Sequence, residues 1–408
     1  MSHPLLLTAR TPVYRHLAFV IGLLGFVNAS LFPYQSLIGI ERIGLTEAHF
    51  ALILVLASAI AVTTSVYVGI LSDQRASRRR IALITAATGL AGSALMMAAP
   101  GPWTFLIAHG VLLPIGSTLF GQTFALTRLA TQQHPKAREG VQATIRAAMS
   151  ITFLAMLVFW TFAFGTGLSV MWIYVSAFVA SAVLLVLIWR GWPVDGSGDW
   201  VDRPSGLRLG AALRQLARPA VSARLLALGA LSSCGTLYMI VLALVFEATP
   251  GRDTADTALY MGLVAGWEVP FMLLLPRYMA HLPRARLLLF GTAIYITHLV
   301  LFPLLADSPA VWLLTLAAGL GGTAMLIIPI SYYQDLMADQ PGIAGAMLAL
   351  QKLIADMLAA LAFVLGAAFG GYTLMAAIGA GIAMAGAIAL WLLDRPRRAR
   401  GEALTPAS

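Results

Sequence analysis

Four charged side chains stand inside long apolar runs of this 408-residue chain: Arg146, Glu268, Lys352 and Asp356. A lone charge at the centre of a bilayer costs at least about 2.5–3.5 kcal/mol on insertion scales, so residues of this kind are rarely idle. Lys352 and Asp356 are spaced i,i+4 and share one helix face. They can simply neutralise each other as a structural pair, or hold a proton and a ligand between them. Arg146 has no acid at i±4. It needs a partner on another helix, or an anionic or hydroxyl-rich ligand. Glu268 stands in Gly266-Trp267-Glu268-Val269-Pro270, where Pro270 weakens the local hydrogen-bond ladder. A carboxyl so placed is a proton-carrier candidate. Paired with Arg146 or Lys352 it would be a structural bridge instead, still in a central cavity.

Amides and aromatic rings accompany these charges: Asn28, Gln35, Gln122, Gln142, Tyr238, Tyr295, His298 and Gln351, with Tyr333-Gln334-Asp335 closing an apolar run. Amides match pairs of hydroxyls, and rings stack on the apolar face of a sugar. Any one of these residues also serves helix–helix hydrogen bonding or an interfacial aromatic belt. The Tyr333–Asp335 block lies near a span end, where a gate or cap competes with a binding role. No HExxH, GxxxxGK[ST], GxSxG or Asp-rich metal run occurs, and Cys234 is the single cysteine. Enzyme, metal-site and ATP-pump readings therefore have no residues to rest on, and protons are the one coupling species expected.

The elements that carry these groups follow from composition. The chain is 60% hydrophobic and 11% charged, where soluble proteins carry about 25% charged residues. So few charges could not cover a set of soluble domains, and the chain reads as a polytopic membrane protein. A span needs about 20 apolar residues. Twelve are found, near 14–40, 48–71, 81–100, 102–130, 139–165, 168–190, 223–247, 256–280, 287–306, 309–335, 342–369 and 371–393. Backbone groups in lipid must be paired within the segment, so the spans are helices, and their continuous length excludes a β-barrel. The first run is too long for a cleavable signal peptide.

Orientation follows the basic residues. With the N-terminus cytoplasmic, 22 of the 26 Lys and Arg lie on that side, 2 (Arg42, Arg252) on the other and 2 (Arg146, Lys352) inside spans. The net charge of +9 thus marks juxtamembrane loops and a lipid bilayer, with no nucleic-acid partner. The stretch 191–222, rich in Pro, Gly and both charge signs, divides the chain. The expected organisation is a six-helix bundle over 1–190, a cytoplasmic linker, a second six-helix bundle over 223–394 and a basic cytoplasmic tail over 395–408. Both termini are expected in the cytoplasm and the protein is expected to act as a monomer.

The halves echo each other weakly. Arg78 and Arg80 after span two match Arg284 and Arg286 after span eight, and Arg146 and Lys352 each lie about two turns into equivalent spans. The segment Gly69–Arg80, with Gly69, Asp73, Arg78 and Arg79, is similar to the cytoplasmic loop signature of the major facilitator superfamily. Gly69 would allow close helix packing, and Asp73 would hold a helix N-terminus or an arginine at the membrane face. A positive-inside loop with an incidental Asp is the simpler alternative. Either way the role is conformational.

More specific stretches are Gln122 with Phe124-Ala125-Leu126 and Arg128, Ala137-Arg138-Glu139, Arg146-Ala147, Leu237-Tyr238-Met239-Ile240, Gly266-Trp267-Glu268-Val269-Pro270 and Tyr333-Gln334-Asp335-Leu336-Met337. In these the chain resembles the sugar efflux transporters of the Set type, a bacterial branch of the superfamily. The resemblance implies an all-α fold of twelve transmembrane helices in two pseudo-symmetric bundles, and a place in the bacterial inner membrane. It implies export of sugars or glycosides against proton entry, and it prefers Arg146, Glu268, Gln334 and Asp335 as functional positions. Lys352 and Asp356 depart from it, standing where small polar residues and a nearby Arg are expected. The mechanism expected is alternating access, with Glu268 carrying the proton, Asp356 as a second carrier, and Arg146 and Lys352 orienting the ligand or biasing the acids. A proton-driven exporter of drugs or other non-sugar metabolites with the same fold is the alternative.

Overall fold

A computed structural model describes residues 4–75, 78–134, 137–194, 218–279, 281–336 and 341–395. Among the described residues, twelve long helices make up the body. They are α1 (Pro12–Arg42), α2 (Glu47–Arg75), α3 (Arg78–Ala98), α4 (Pro102–Ala130), α5 (Arg138–Gly165), α6 (Trp172–Gly191), α7 (Pro219–Ala248), α8 (Thr254–Met279), α9 (Arg284–Leu301), α10 (Leu314–Leu336), α11 (Pro341–Phe369) and α12 (Gly371–Leu393). Among the described residues, eleven helices are long and apolar enough to cross a membrane. The twelfth, α8, has 26 residues and at 1.5 Å per residue reaches about 39 Å, more than the hydrocarbon thickness. It carries Glu268. Most of the expected 191–222 linker lies outside the described residues.

Two spans depart from regular helix where their sequences dictate it. In α1, Pro33 sits in a tight turn over Phe32–Tyr34, followed by a wider π-helical turn over Ile38–Arg42. Proline supplies no N–H and cannot continue the ladder, so the break falls at this residue. In α4 a π-helical turn covers Ala108–Leu112, just ahead of Pro114. That irregularity is absent from the apolar pattern.

The helix contacts repeat between the halves. Within the first half, α1 packs on α5 and α6, α3 on α4 and α6, and α2 on α4. Within the second, α7 packs on α11 and α12, α9 on α10 and α12, and α8 on α10. Each of these contacts of the first half has its counterpart six helices later, as a duplicated chain should show. The halves meet along α5 against α8 and α2 against α11, again an equivalent pair.

Small residues set the closest approaches, as membrane packing favours. A Cβ on Gly386 of α12 would come 2.7 Å from the carbonyl oxygen of Ala227 and 2.7 Å from the nitrogen of Leu231, both on α7. Backbone atoms cannot swing aside. Gly386→Val is therefore expected to destabilise the second bundle by about 1–3 kcal/mol, read as a lower melting temperature in detergent. Gly121→Ala, which meets nothing within 4 Å, should leave it unchanged.

Described contacts between the halves cluster away from the end that bears the termini. There Ser36 donates to the carbonyl of Ile240 at 2.6 Å, Arg42 pairs with Glu247 at 2.5 Å, and the Phe50 and Phe363 rings lie 6.1 Å apart. The space between the halves is thus capped at the far end.

Candidate functional site

The buried end of one carboxylate joins the two halves. Asp356, on α11, is wholly inaccessible to solvent. Its Oδ1 accepts from Thr236 Oγ1 of α7 at 2.9 Å, and its Oδ2 accepts from Lys352 Nζ at 2.6 Å. The same Oδ2 accepts from Ser58 Oγ of α2, in the opposite half. A buried carboxylate must be paired or hydrogen-bonded to be tolerated, and here three donors from two bundles meet that need. Helix spacing places Lys352 one turn before Asp356 on the same face. The Lys352 side chain is 64% exposed while Asp356 is at 0%, so the ammonium faces open space and the carboxylate faces protein.

That open space is a cavity between the bundles with two chambers. One, of about 340 Å³, lies toward the first half and takes in Asn28, Gln35, Ser58 and His109. The other, of about 440 Å³, lies toward the second half and takes in Tyr238, Glu268, Tyr295 and Gln351. Phe153, Thr236, Met239 and Lys352 border both. Lys352 and Asp356 thus stand at the partition.

Glu268 faces the second chamber through an opening made by glycine. A Cβ on Gly322 of α10 would lie 3.1 Å from Glu268 Oε1 and 3.5 Å from the Tyr295 ring. Glycine at 322 therefore makes the room that this carboxyl and ring occupy. Thr323 Oγ1 donates to the backbone carbonyl of Glu268 at 3.4 Å. Gln351 donates from Nε2 to Ser232 at 2.7 Å, leaving its Oε1 without a partner among the described residues. The Tyr238 hydroxyl is likewise buried and unpartnered among them. The lining of this chamber is otherwise soft and apolar, with Met239, Met261, Met325 and Phe153.

Other residues singled out by sequence fall elsewhere. Gln142 and Arg146 lie on the face of α5 that carries Phe153, since eleven and seven residues return close to the same helix angle. They sit nearer the termini-bearing end, and Arg146 is exposed. Among the described residues Arg146 has no hydrogen bond or ion pair. The alternative bridge between Glu268 and Arg146 or Lys352 is not formed among the described residues. Gln122 is buried in α4 with its Oε1 unpartnered among the described residues, and does not border either chamber.

Trp267 is 42% exposed and points away from the cavity, because one residue along a helix turns the side chain by about 100° from Glu268. Tyr333 is buried behind the end of α10, and Asp335 is paired with Arg284 at the termini-bearing end. Tyr333 and Asp335 are therefore not brought to the cavity; the side chain of Gln334 lies outside the described residues. In the loop signature, Gly69 belongs to α2 and the side chain of Asp73 lies outside the described residues. Arg78 is buried, and Arg79 donates from Nη2 to the carbonyl of Trp189 at 2.5 Å, tying the start of α3 to the end of α6.

Three contributors carried no sequence signal. Ser58 and Thr236 are ordinary hydroxyls in apolar runs. His109 is buried at the edge of the first chamber, stacked on Phe105 at 4.2 Å and hydrogen-bonded through Nε2 with the Tyr174 hydroxyl at 2.8 Å. Among the described residues no group of three or more His, Cys, Asp and Glu is arranged to hold a metal ion.

Comparison with known proteins bears on this geometry. The family model described as Major Facilitator Superfamily matches residues 17–358. A relative from Escherichia coli K12, sugar efflux transporter A, is 24% identical over 344 residues, covering 81% of each chain. A Deinococcus radiodurans protein, provisionally named a sugar efflux transporter, is 23% identical over 400 residues, covering 94% of this chain and 98% of its own. Among solved structures, the nucleoside transporter NupG superposes with a TM-score of 0.76 at 15% identity, over 95% of this chain and all (100%) of its own. The peptide transporter POT in complex with sulfate gives 0.73 at 14%, over 93% of each. At these identities the solved structures speak for the fold alone.

Proposed function

The chain belongs to the Major Facilitator Superfamily and is a multi-pass membrane transporter, and on that footing we propose that it exports sugars or glycosides by alternating access, in exchange for entering protons. The observation that carries this reading is the cavity between the bundles. Its two chambers hold Asn28, Gln35, Tyr238 and Gln351, the mix of amides and a ring that a polyhydroxylated ligand calls for, and Glu268 and Lys352 face the same space. Sugar efflux also stands in the names of the two relatives.

In this account the termini lie in the cytoplasm, so the structure is the inward-open state. Sugar enters from the cytoplasm beside Lys352. Closure of that end and parting of Ser36 from Ile240 and Arg42 from Glu247 then open the cavity outward. Glu268 takes a proton outside and releases it inside on return. The Asp356 junction, which binds donors from both bundles, is the element that senses occupancy and rocks with the halves.

The far-end contacts give a direct test of the state assignment. Arg42→Glu replaces an attraction by repulsion with Glu247. The side chains are 45% and 27% exposed, so the stability change stays below about 1 kcal/mol. The outward-open population should nevertheless rise. Labelling of a Gln35→Cys reporter by a membrane-impermeant maleimide from the outside should speed up several-fold; an unchanged rate would count against this gate.

A second reading rests on the wall of Met239, Met261, Met325 and Phe153. Methionine adapts to varied apolar shapes, which favours a proton-driven exporter of more lipophilic compounds or other non-sugar metabolites. Competition decides between the two: excess unlabelled sugar should block flux if the first holds, and a lipophilic cation should block it if the second does.

A further inference from the structure

A separate cavity of about 560 Å³ lies at the termini-bearing end of the second bundle, among the ends of α7, α9, α10 and α12. It is away from the seam, and the transport cycle described above makes no use of it. Its walls carry four arginines, Arg224, Arg284, Arg286 and Arg395, and two aspartates, Asp335 and Asp394.

Both aspartates are already engaged. Arg224 donates from Nε to Asp394 Oδ1 at 2.9 Å, and its remaining nitrogens bind the carbonyls of Ala220 and Leu393, each at 2.9 Å. Tyr332 adds a second donor to Asp394 at 3.0 Å. Asp335 accepts from Arg284, which also binds the carbonyl of Ser331 at 2.8 Å. These contacts make a fixed polar floor. Arg286 is exposed and meets neither acid nor acceptor among the described residues. Arg395 lies 3.5 Å over the Trp391 ring, with no acid beside it among them. Among the described residues, four cations against two anions leave two positive charges uncompensated.

We propose that this cavity binds the headgroup of an anionic phospholipid. Guanidinium groups present donors in a fork that matches phosphate oxygens, and basic pockets between helix ends at a membrane face take such headgroups. Trp391, Leu336 and Leu393 complete the wall. An aromatic ring and leucines at the ends of spanning helices lie at headgroup depth, and that amphipathic lining selects a lipid over a free phosphate ion. The occupant would bridge the end of α7, the helix that also supplies Ser232, Thr236 and Tyr238 to the transport cavity.

The test uses the purified full chain, delipidated in detergent. It is titrated with phosphatidylglycerol and with phosphatidylcholine of identical acyl chains, followed by native mass spectrometry. Two uncompensated cations predict binding about 30-fold tighter for phosphatidylglycerol. Arg286→Ala combined with Arg395→Ala should abolish the preference while keeping the melting temperature measured in phosphatidylcholine. Arg80→Ala, an exposed arginine at the same end of the first bundle, should keep it. Equal binding of the two lipids by the natural chain, or an unchanged preference in the double variant, overturns the proposal. So does displacement of phosphatidylglycerol by millimolar inorganic phosphate, which would make the cavity a free-anion site.

Discussion

Asp356→Asn should lower sugar flux by about tenfold or more. The carboxylate is fully buried and is the sole acid within contact of Lys352 among the described residues. Losing a hydrogen bond to a charged acceptor costs about 1.5–3 kcal/mol, while Lys352, 64% exposed, is screened by water and adds little when its partner is removed. The amide still accepts one hydrogen bond, so the bond from Thr236 can persist. The charged acceptor shared by Ser58 of the first bundle and Lys352 of the second is lost. The variant will also melt at a lower temperature, which by itself would reduce flux. A double variant, Lys352→Met with Asp356→Asn, separates the two effects by removing both charges. It should recover melting temperature and expression yet remain inactive. Wild-type flux from the double variant would make the pair structural only. Flux is measured as counterflow of labelled sugar in proteoliposomes, normalised to reconstituted protein.

Glu268→Gln should abolish accumulation driven by a pH gradient while sparing counterflow of labelled against unlabelled sugar. Gln keeps the shape beside Gly322 and Tyr295 but cannot exchange a proton. Exchange needs only that the loaded carrier reorient, whereas net flux needs the empty carrier to return with a proton. Gradient-driven transport at the normal rate in Glu268→Gln would remove this residue from the coupling role. Asp356 would then be the remaining acid of the cavity able to take it, and the first prediction would have to be reread as a coupling effect.

Much of the architecture was legible because lipid imposes strong rules on sequence. Charge gaps delimit all twelve spans, and Pro33 marks the break in α1. The pairing of Lys352 with Asp356 was legible too, since i,i+4 neighbours on a helix meet whatever surrounds them. Depth in the membrane points Glu268 to the central cavity, but not its neighbour: Trp267 stands beside it in the sequence and is 42% exposed. Spacing along one helix fixes relative direction only when one residue's facing is already known.

Contacts between helices were not legible. Ser58 is one serine in the run Leu56-Ala57-Ser58-Ala59, and only the approach of α2 to α11 brings it to Asp356. His109 carries no sequence signal for the same reason: its partner Tyr174 lies on α6. The Tyr333–Asp335 block looked like a site because it is polar and distinctive. It lies at the end of α10, where Asp335 serves Arg284 and Tyr332 serves Asp394. Distinctive residues in such proteins hold the ends of the bundle as readily as they hold a ligand.

The central claim is coupled sugar export through the cavity between the bundles. The most direct measurement reconstitutes the natural chain in proteoliposomes and follows labelled disaccharides, glucosides and monosaccharides, with and without an imposed pH gradient. The account predicts saturable flux of at least one sugar, moving opposite to the proton gradient and collapsing when a protonophore is added. Counterflow of that sugar should survive the protonophore. Absence of flux for every sugar, with a lipophilic or other non-sugar compound moving instead, would contradict the assigned substrate. Sugar flux indifferent to the gradient would contradict proton antiport.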